Sequence, residues 1–141
     1  IIYTLDTHHE DYLSSLEGQK LPVPHCIFGT EGHKLDKRID KKLSSLSMSG
    51  KNIIGQTKDT FGYTEWSRYI SEGDSVEIVG VCTGICVLAN ATIIRALYPD
   101  NSITVYSDCC ACVNKNTHEI ALKALELQQC EVKKFFPIQM P

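Results

Sequence analysis

Three clusters in this 141-residue chain have the side chains and the spacing to do chemistry. The first is Asp6-Thr7-His8, with Glu17 and then His25 further on. Asp6 and His8 are one residue apart at the end of an apolar run, so both side chains can turn to one side. His25 can return across a loop to complete a facial set, and Glu17 can add a fourth oxygen. Carboxylate with imidazoles suits a divalent ion: zinc, iron or manganese. A polar loop whose histidines cap or hydrogen-bond would carry the same residues, because Asp-x-His is common by chance.

The second cluster is Thr57-Lys58-Asp59-Thr60-Phe61-Gly62. A lysine at the end of a strand can act as a fixed positive charge or a proton donor. Taken alone, the segment is better explained by a surface lysine paired with Asp59. The third is Gly80-Val81-Cys82-Thr83-Gly84-Ile85-Cys86-Val87. Its glycines allow a tight strand-to-helix turn. With Thr83 as N-cap, Cys86 falls in the first helical turn, where the dipole and free amides favour a thiolate. The same amides can hold an oxyanion. The alternative is a buried pair, Cys82 and Cys86, packed one turn apart.

These clusters need elements to position them. Short, largely apolar, β-rich runs at Ile1–Leu5, Asn52–Gln56, Ser75–Val81 and Ser102–Tyr106 read as strands, and Glu131–Phe135 is a fifth. Helical patterns alternate with them at Lys34–Leu46, Thr64–Glu72, Thr83–Leu97 and Asn116–Gln129. Asn116 and Glu119 stand at capping-box spacing. Alternation of this kind predicts an α/β fold with a parallel sheet flanked by helices. Ligands of such sheets bind at the carboxyl ends of the strands, which is where all three clusters fall.

Composition narrows the class. Hydrophobic residues make up 43% and charged residues 22%, enough to build a core, and the formal net charge is −3. That balance argues against nucleic acid as a partner. No apolar run has the length of a membrane span and no signal-peptide pattern opens the chain. Seven cysteines at irregular spacing point to reduced thiols in a cytoplasmic protein rather than a disulfide framework. Trp66, Tyr69 and Tyr98 read as packing residues, and His9, His33 and His118 as structural or solvent-facing.

Together the segments resemble the isochorismatase-like cysteine hydrolases, in their metal-binding nicotinamidase branch. The resemblance runs through Asp6-Thr7-His8, Glu17 and Leu21-Pro22-Val23-Pro24-His25-Cys26, then Lys58-Asp59-Thr60-Phe61-Gly62, Gly80 through Ala91, Asp108-Cys109-Cys110-Ala111 and His118-Glu119-Ile120-Ala121-Leu122. It implies a single three-layer Rossmann-like domain over residues 1–141. Cys86 is then the nucleophile that forms a thioester with a small-molecule amide, and Lys58 orients and polarises the site. The amides of Cys82 and Cys86 form the oxyanion hole, next to a cis peptide between Val81 and Cys82. Asp6, His8 and His25, with Glu17 as an extra ligand, bind the metal, zinc before iron or manganese. Phe61 is a pocket-lining candidate. Nicotinamide is the expected substrate, with another small amide or carbamoyl compound as the alternative. A non-catalytic metal-binding or assembly module is the reading from a different class, and relatives suggest a homo-oligomer.

Three features depart from the family pattern. The family carries a catalytic aspartate on its first strand, and no residue here matches it. Because Ile1 opens within a strand, that strand is expected to be absent and the domain N-terminally incomplete. Gly84 stands where aspartate is usual. The segment before His25 has no aromatic to stack on a pyridine ring.

Overall fold

Strands and helices alternate along the computed structural model, which describes residues 1–135. The chain divides into two compact units, one spanning Ile1–Thr60 and one starting at Phe61.

In the first unit, β1 (Ile2–Asp6) and β2 (Ile54–Lys58) pair in parallel, from Ile2↔Ile54 to Asp6↔Lys58. A parallel pair needs a long crossover. Here it contains α1 (Leu16–Lys20), α2 (Lys37–Met48) and two 3₁₀ turns, Tyr12–Ser14 and Glu31–His33. Ser15 caps α1 by accepting from the Gly18 amide at 3.0 Å. Helix α2 starts at Lys37, later than the apolar spacing predicts. Lys34 closes the preceding turn onto Glu31, and the Asp36 carboxylate takes the Arg38 amide at 2.9 Å as the N-cap. The predicted stripe of α2 is not a core face: Leu35, Leu43 and Leu46 are half-buried and Ile39 is exposed.

In the second unit, β3 (Ser75–Val81), β4 (Ser102–Ala111) and β5 (Glu131–Lys133) form a parallel sheet in the order β3-β4-β5. Strand β4 runs five residues past the predicted Tyr106, because Cys110 and Ala111 resume pairing with Gly80 and Val81 after a bulge between Ile78 and Gly80. Gly80 sits there at φ 139°, a conformation that L side chains rarely adopt. Helix α3 (Leu88–Leu97) joins β3 to β4 and α4 (Lys115–Leu127) joins β4 to β5. The core lies among Ile103 and Val105 of β4, Ala91 and Ile94 of α3, and Ala121 and Leu125 of α4. Each large aliphatic side chain buried there contributes about 1.5–3 kcal/mol.

Two further helix readings differ from the structure. The capping box of α4 is Asn114 with Thr117, not Asn116 with Glu119. Asn114 Oδ1 accepts the Thr117 amide at 2.9 Å and Thr117 Oγ1 accepts the Asn114 amide at 3.3 Å. Thr64–Glu72 forms only a short turn at Trp66–Arg68. Amides in and beside it are taken by side chains instead: Ser71 by the nearby Asp74, and the flanking Tyr63 and Gly73 by the distant Asn90 and Asn101. The fold class is nonetheless the predicted one, mixed α/β with parallel sheets flanked by helices. Among the described residues, no helix is long and apolar enough to cross a membrane.

Candidate metal and nucleophile sites

The first site is built at the carboxyl end of β1. Asp6 is the last residue of the strand, and His8 follows where the chain forms an isolated bridge with Ile27. Glu17 comes from the first turn of α1, and His25 from the loop that returns toward β1. One ligand atom from each of the four lies within 4.8 Å of all the others. His8 Nε2 is 3.3 Å from Asp6 Oδ2 and 3.6 Å from Glu17 Oε1; His25 Nε2 is 3.7 Å and 3.8 Å from the same two oxygens. These separations are long for hydrogen bonds, which cluster near 2.7–3.2 Å. They are close to the edge, roughly 3.3–3.4 Å, of a tetrahedron with metal bonds of about 2.0–2.1 Å.

Two further observations test the fit of a metal. His8 Nε2 is buried and has no hydrogen-bond partner, a state that costs free energy unless something binds the atom. His25 Nδ1 lies 2.8 Å from the Val23 carbonyl, which can only accept. Nδ1 therefore carries a proton, and in the neutral ring this leaves the lone pair on Nε2, on the side of the carboxylates, as metal-ligating histidine requires. The donor set fits a divalent ion, and the four residues predicted for it are the four the fold brings together.

Lys58 ends β2 beside Asp6. It is buried rather than on the surface, and its Nζ donates to Asp6 Oδ1 at 3.1 Å and to the Thr60 carbonyl at 2.9 Å. Asp6 thus divides its oxygens, Oδ1 to the ammonium and Oδ2 to the imidazoles. Tyr12 escaped sequence reading, since nothing in its spacing marks it. Its buried ring packs on His8 at 4.6 Å and His25 at 5.1 Å between centroids, and its hydroxyl donates to the Leu21 carbonyl. Burial first, then the charges of Glu17 and Asp6, hold its hydroxyl above the ordinary tyrosine range.

The second site follows β3. The Val81–Cys82 peptide is cis, as the resemblance implies. The helix begins with a π turn over Thr83–Val87, and its N-cap is Cys82, not Thr83. Cys82 O accepts the amides of Ile85 at 3.1 Å and Val87 at 3.2 Å. The Thr83 hydroxyl cannot cap because it is fully buried against His118 Nδ1 at 2.8 Å. Cys86 lies within this first turn and is partly buried. Asn90, one turn later, is a second residue that sequence reading missed. Its Nδ2 donates to the Cys86 carbonyl at 2.8 Å, while its Oδ1 accepts from the Tyr63 amide at 2.8 Å and from Trp66 Nε1 at 3.0 Å. Phe61 is exposed in this unit.

The remaining histidines have local roles. His9 packs on Phe28, and His33 Nε2 lies 2.9 Å from Thr7 Oγ1. None of the seven cysteines forms a disulfide.

The chain matches the Isochorismatase domain model over residues 1–134 and belongs to that hydrolase family. Its fold is similar to that of nicotinamidase PncA from Bacillus subtilis, with 25% identity, coverage of 94% of this chain and 74% of that one, and a TM-score of 0.75. The pyrazinamidase/nicotinamidase of Streptococcus mutans matches with the same identity and coverages and a TM-score of 0.76. The yeast nicotinamidase Pnc1p, 16% identical over 96% of this chain and 79% of its own, shares the fold at a TM-score of 0.69. No curated protein matches the chain in sequence.

Proposed function

We propose that this chain carries the nucleophile, the lysine and the metal-binding residues of a cysteine amidohydrolase whose substrate is nicotinamide, the family's catalytic aspartate being unmatched among its residues. The observation that supports it most is the position of Cys86, in the first helical turn after β3, in a family whose structural matches here include nicotinamidases. In this reading the Cys86 sulfur attacks the carboxamide carbon, and the amide C–N bond breaks. The thiol proton leaves with nitrogen as ammonia, giving a thioester. Water then cleaves the thioester, releasing nicotinate and restoring the thiol. The amides of Cys82 and Cys86 are assigned to the developing oxyanion. Lys58, fixed by Asp6 and the Thr60 carbonyl, is assigned the fixed positive charge. Asp6, His8, Glu17 and His25 would hold a divalent ion, with zinc favoured by two imidazoles and two carboxylates. When bound, that ion supplies a Lewis acid for the pyridine nitrogen.

A second reading, hydrolysis of another small amide or carbamoyl compound, is favoured by one feature. Leu21-Pro22-Val23-Pro24 provides no aromatic ring before His25. Ammonia release from nicotinamide, measured on wild type beside Cys86→Ala, decides between them. Turnover is expected in wild type and none in the variant. Turnover of other small amides but not of nicotinamide would move the assignment to the second reading. Turnover surviving in Cys86→Ala would overturn the cysteine mechanism.

A further inference from the structure

A second thiol arrangement stands next to Cys86. The paired register of β3 and β4 ends at Val81↔Ala111, and the next residue on each side is a cysteine, Cys82 and Cys112. Neighbouring strands run about 4.7–4.9 Å apart, within the Cα separation of about 4.4–6.8 Å that a disulfide spans. The two thiols are close enough to perturb one another, Cys82 upward and Cys112 downward. Thr117, Gly84 and Val113 also surround the Cys112 sulfur. A methyl group on Gly84 would lie 3.6 Å from that sulfur, so it packs against the opening turn of the Cys86 helix.

The two sulfurs are electrostatically unequal. The Thr117 hydroxyl first, and then the surrounding amides and the Cys82 thiol, hold the Cys112 thiol below its ordinary range. Burial first, and then the neighbouring thiols, push Cys82 up. A thiol that loses its proton more readily, next to one that keeps it, is the pairing that favours oxidation to a disulfide.

We propose that Cys82 and Cys112 form a peroxide-sensitive thiol pair that closes to a disulfide. The Cys112 thiolate attacks one oxygen of hydrogen peroxide, the O–O bond breaks, and hydroxide leaves, giving a sulfenic acid. The Cys82 sulfur then attacks that sulfur; its proton and the sulfenic hydroxyl leave as water, and two electrons have passed from the thiols to peroxide. Bonding the sulfurs draws Cys82 toward β4. Cys82 is also the residue whose carbonyl holds the Ile85 and Val87 amides of the Cys86 turn. Closure therefore displaces the backbone around Cys86 and switches off amide hydrolysis. That last consequence rests on the proposed function; the disulfide does not.

The test treats the full chain with limiting hydrogen peroxide, blocks residual thiols with iodoacetamide and records intact mass and tryptic peptides. Cys82 and Cys86 share tryptic residues 69–95, and Cys109, Cys110 and Cys112 share residues 96–115, so fragmentation is needed to place the bond. The expected product has lost two hydrogens, carries a Cys82–Cys112 link, leaves Cys86 alkylated and reverts with dithiothreitol. Cys112→Ser should lack the link at the same dose. A Cys82–Cys86 link, or an over-oxidised Cys86 beside alkylated Cys82 and Cys112, overturns the proposal. Because the readout is a bond, it decides the matter whatever substrate the protein hydrolyses. With nicotinamide turnover established, peroxide should abolish it reversibly in wild type, and Cys112→Ser should retain it.

Discussion

Asn90 Nδ2 donates to the carbonyl of Cys86 at 2.8 Å, so the residue proposed as nucleophile is tied to its own helix one turn ahead. The same side chain anchors the Tyr63 amide and the Trp66 indole through Oδ1. Asn90→Ala strips the acceptor from two buried donors and the donor from two carbonyls, those of Cys86 and Phe61. At about 1–3 kcal/mol for a buried group left unpaired, a loss on the order of 2–4 kcal/mol is expected in chemical denaturation. Asn90→Asp keeps the acceptor, removes the donor to the Cys86 and Phe61 carbonyls and adds a carboxylate. It should recover part of that stability while amide turnover stays low. Equal stability losses in the two variants would show that the Tyr63 and Trp66 bonds contribute little.

The four-residue cluster predicts metal binding with a thermal signature. Zinc at about 100 times its Kd should stabilise wild type by about 2.7 kcal/mol through mass action. His8→Ala removes the buried Nε2 that lacks a protein partner, so zinc should no longer raise Tm. Metal content by mass spectrometry after dialysis gives an independent check. Stoichiometric zinc retained by His8→Ala would remove that histidine from the ligand set.

Gly18 follows the candidate ligand Glu17 and packs on the Tyr12–Ser14 turn without room for a side chain. A methyl group there would lie 2.1 Å from the Tyr12 carbonyl oxygen and 2.8 Å from Leu13 Cα, both backbone atoms. Gly18→Ala must push α1 away from that turn, at about 1–3 kcal/mol. Because Glu17 moves with α1, zinc affinity should fall together with stability. Unchanged affinity in a destabilised variant would indicate that Glu17 is not a ligand.

Cys112 gives a pH dependence with a definite sign. Its thiol lies below the ordinary value of 9.0, through the Thr117 hydroxyl first and the Gly84 and Val113 amides after it. A depressed value stabilises the fold above pH 9.0, and that contribution is lost as pH falls through the folded-state value. Alkylation by iodoacetamide should accordingly reach Cys112 at lower pH than Cys82 or Cys130, both raised mainly by burial. The Thr117 hydroxyl also lies 3.0 Å from the Asn114 carbonyl and 3.2 Å from Asn114 Oδ1, which compete with the Cys112 sulfur for its proton. Thr117→Ser should keep the early labelling and Thr117→Val should delay it. Identical labelling profiles for Cys112 and Cys82 would contradict the assignment.

The strands and the metal set were legible because both follow local rules. Apolar β-rich runs mark strands, and the end of a strand locates Asp6 and His8. What was not legible depends on long-range partners. Thr83 resembles an N-cap until His118 takes its hydroxyl. Asn90 and Tyr12 act through contacts with residues far from them in sequence, and no local pattern announces either. The apolar run that marks β4 ends at Tyr106, yet the strand continues through Asp108-Cys109-Cys110 because pairing resumes at Gly80 after the β3 bulge.

The candidate ligands Asp6, His8, Glu17 and His25 come from a strand end, the stretch after it, a five-residue helix and a returning loop. Around them Leu13, Leu16, Leu21 and Val23 are exposed, so this segment has little core of its own. An ion joining those four side chains would work as a cross-link, closing the chain from Asp6 to His25 and removing loop entropy from its open forms. Chelation should then leave this stretch as the first place a protease cuts.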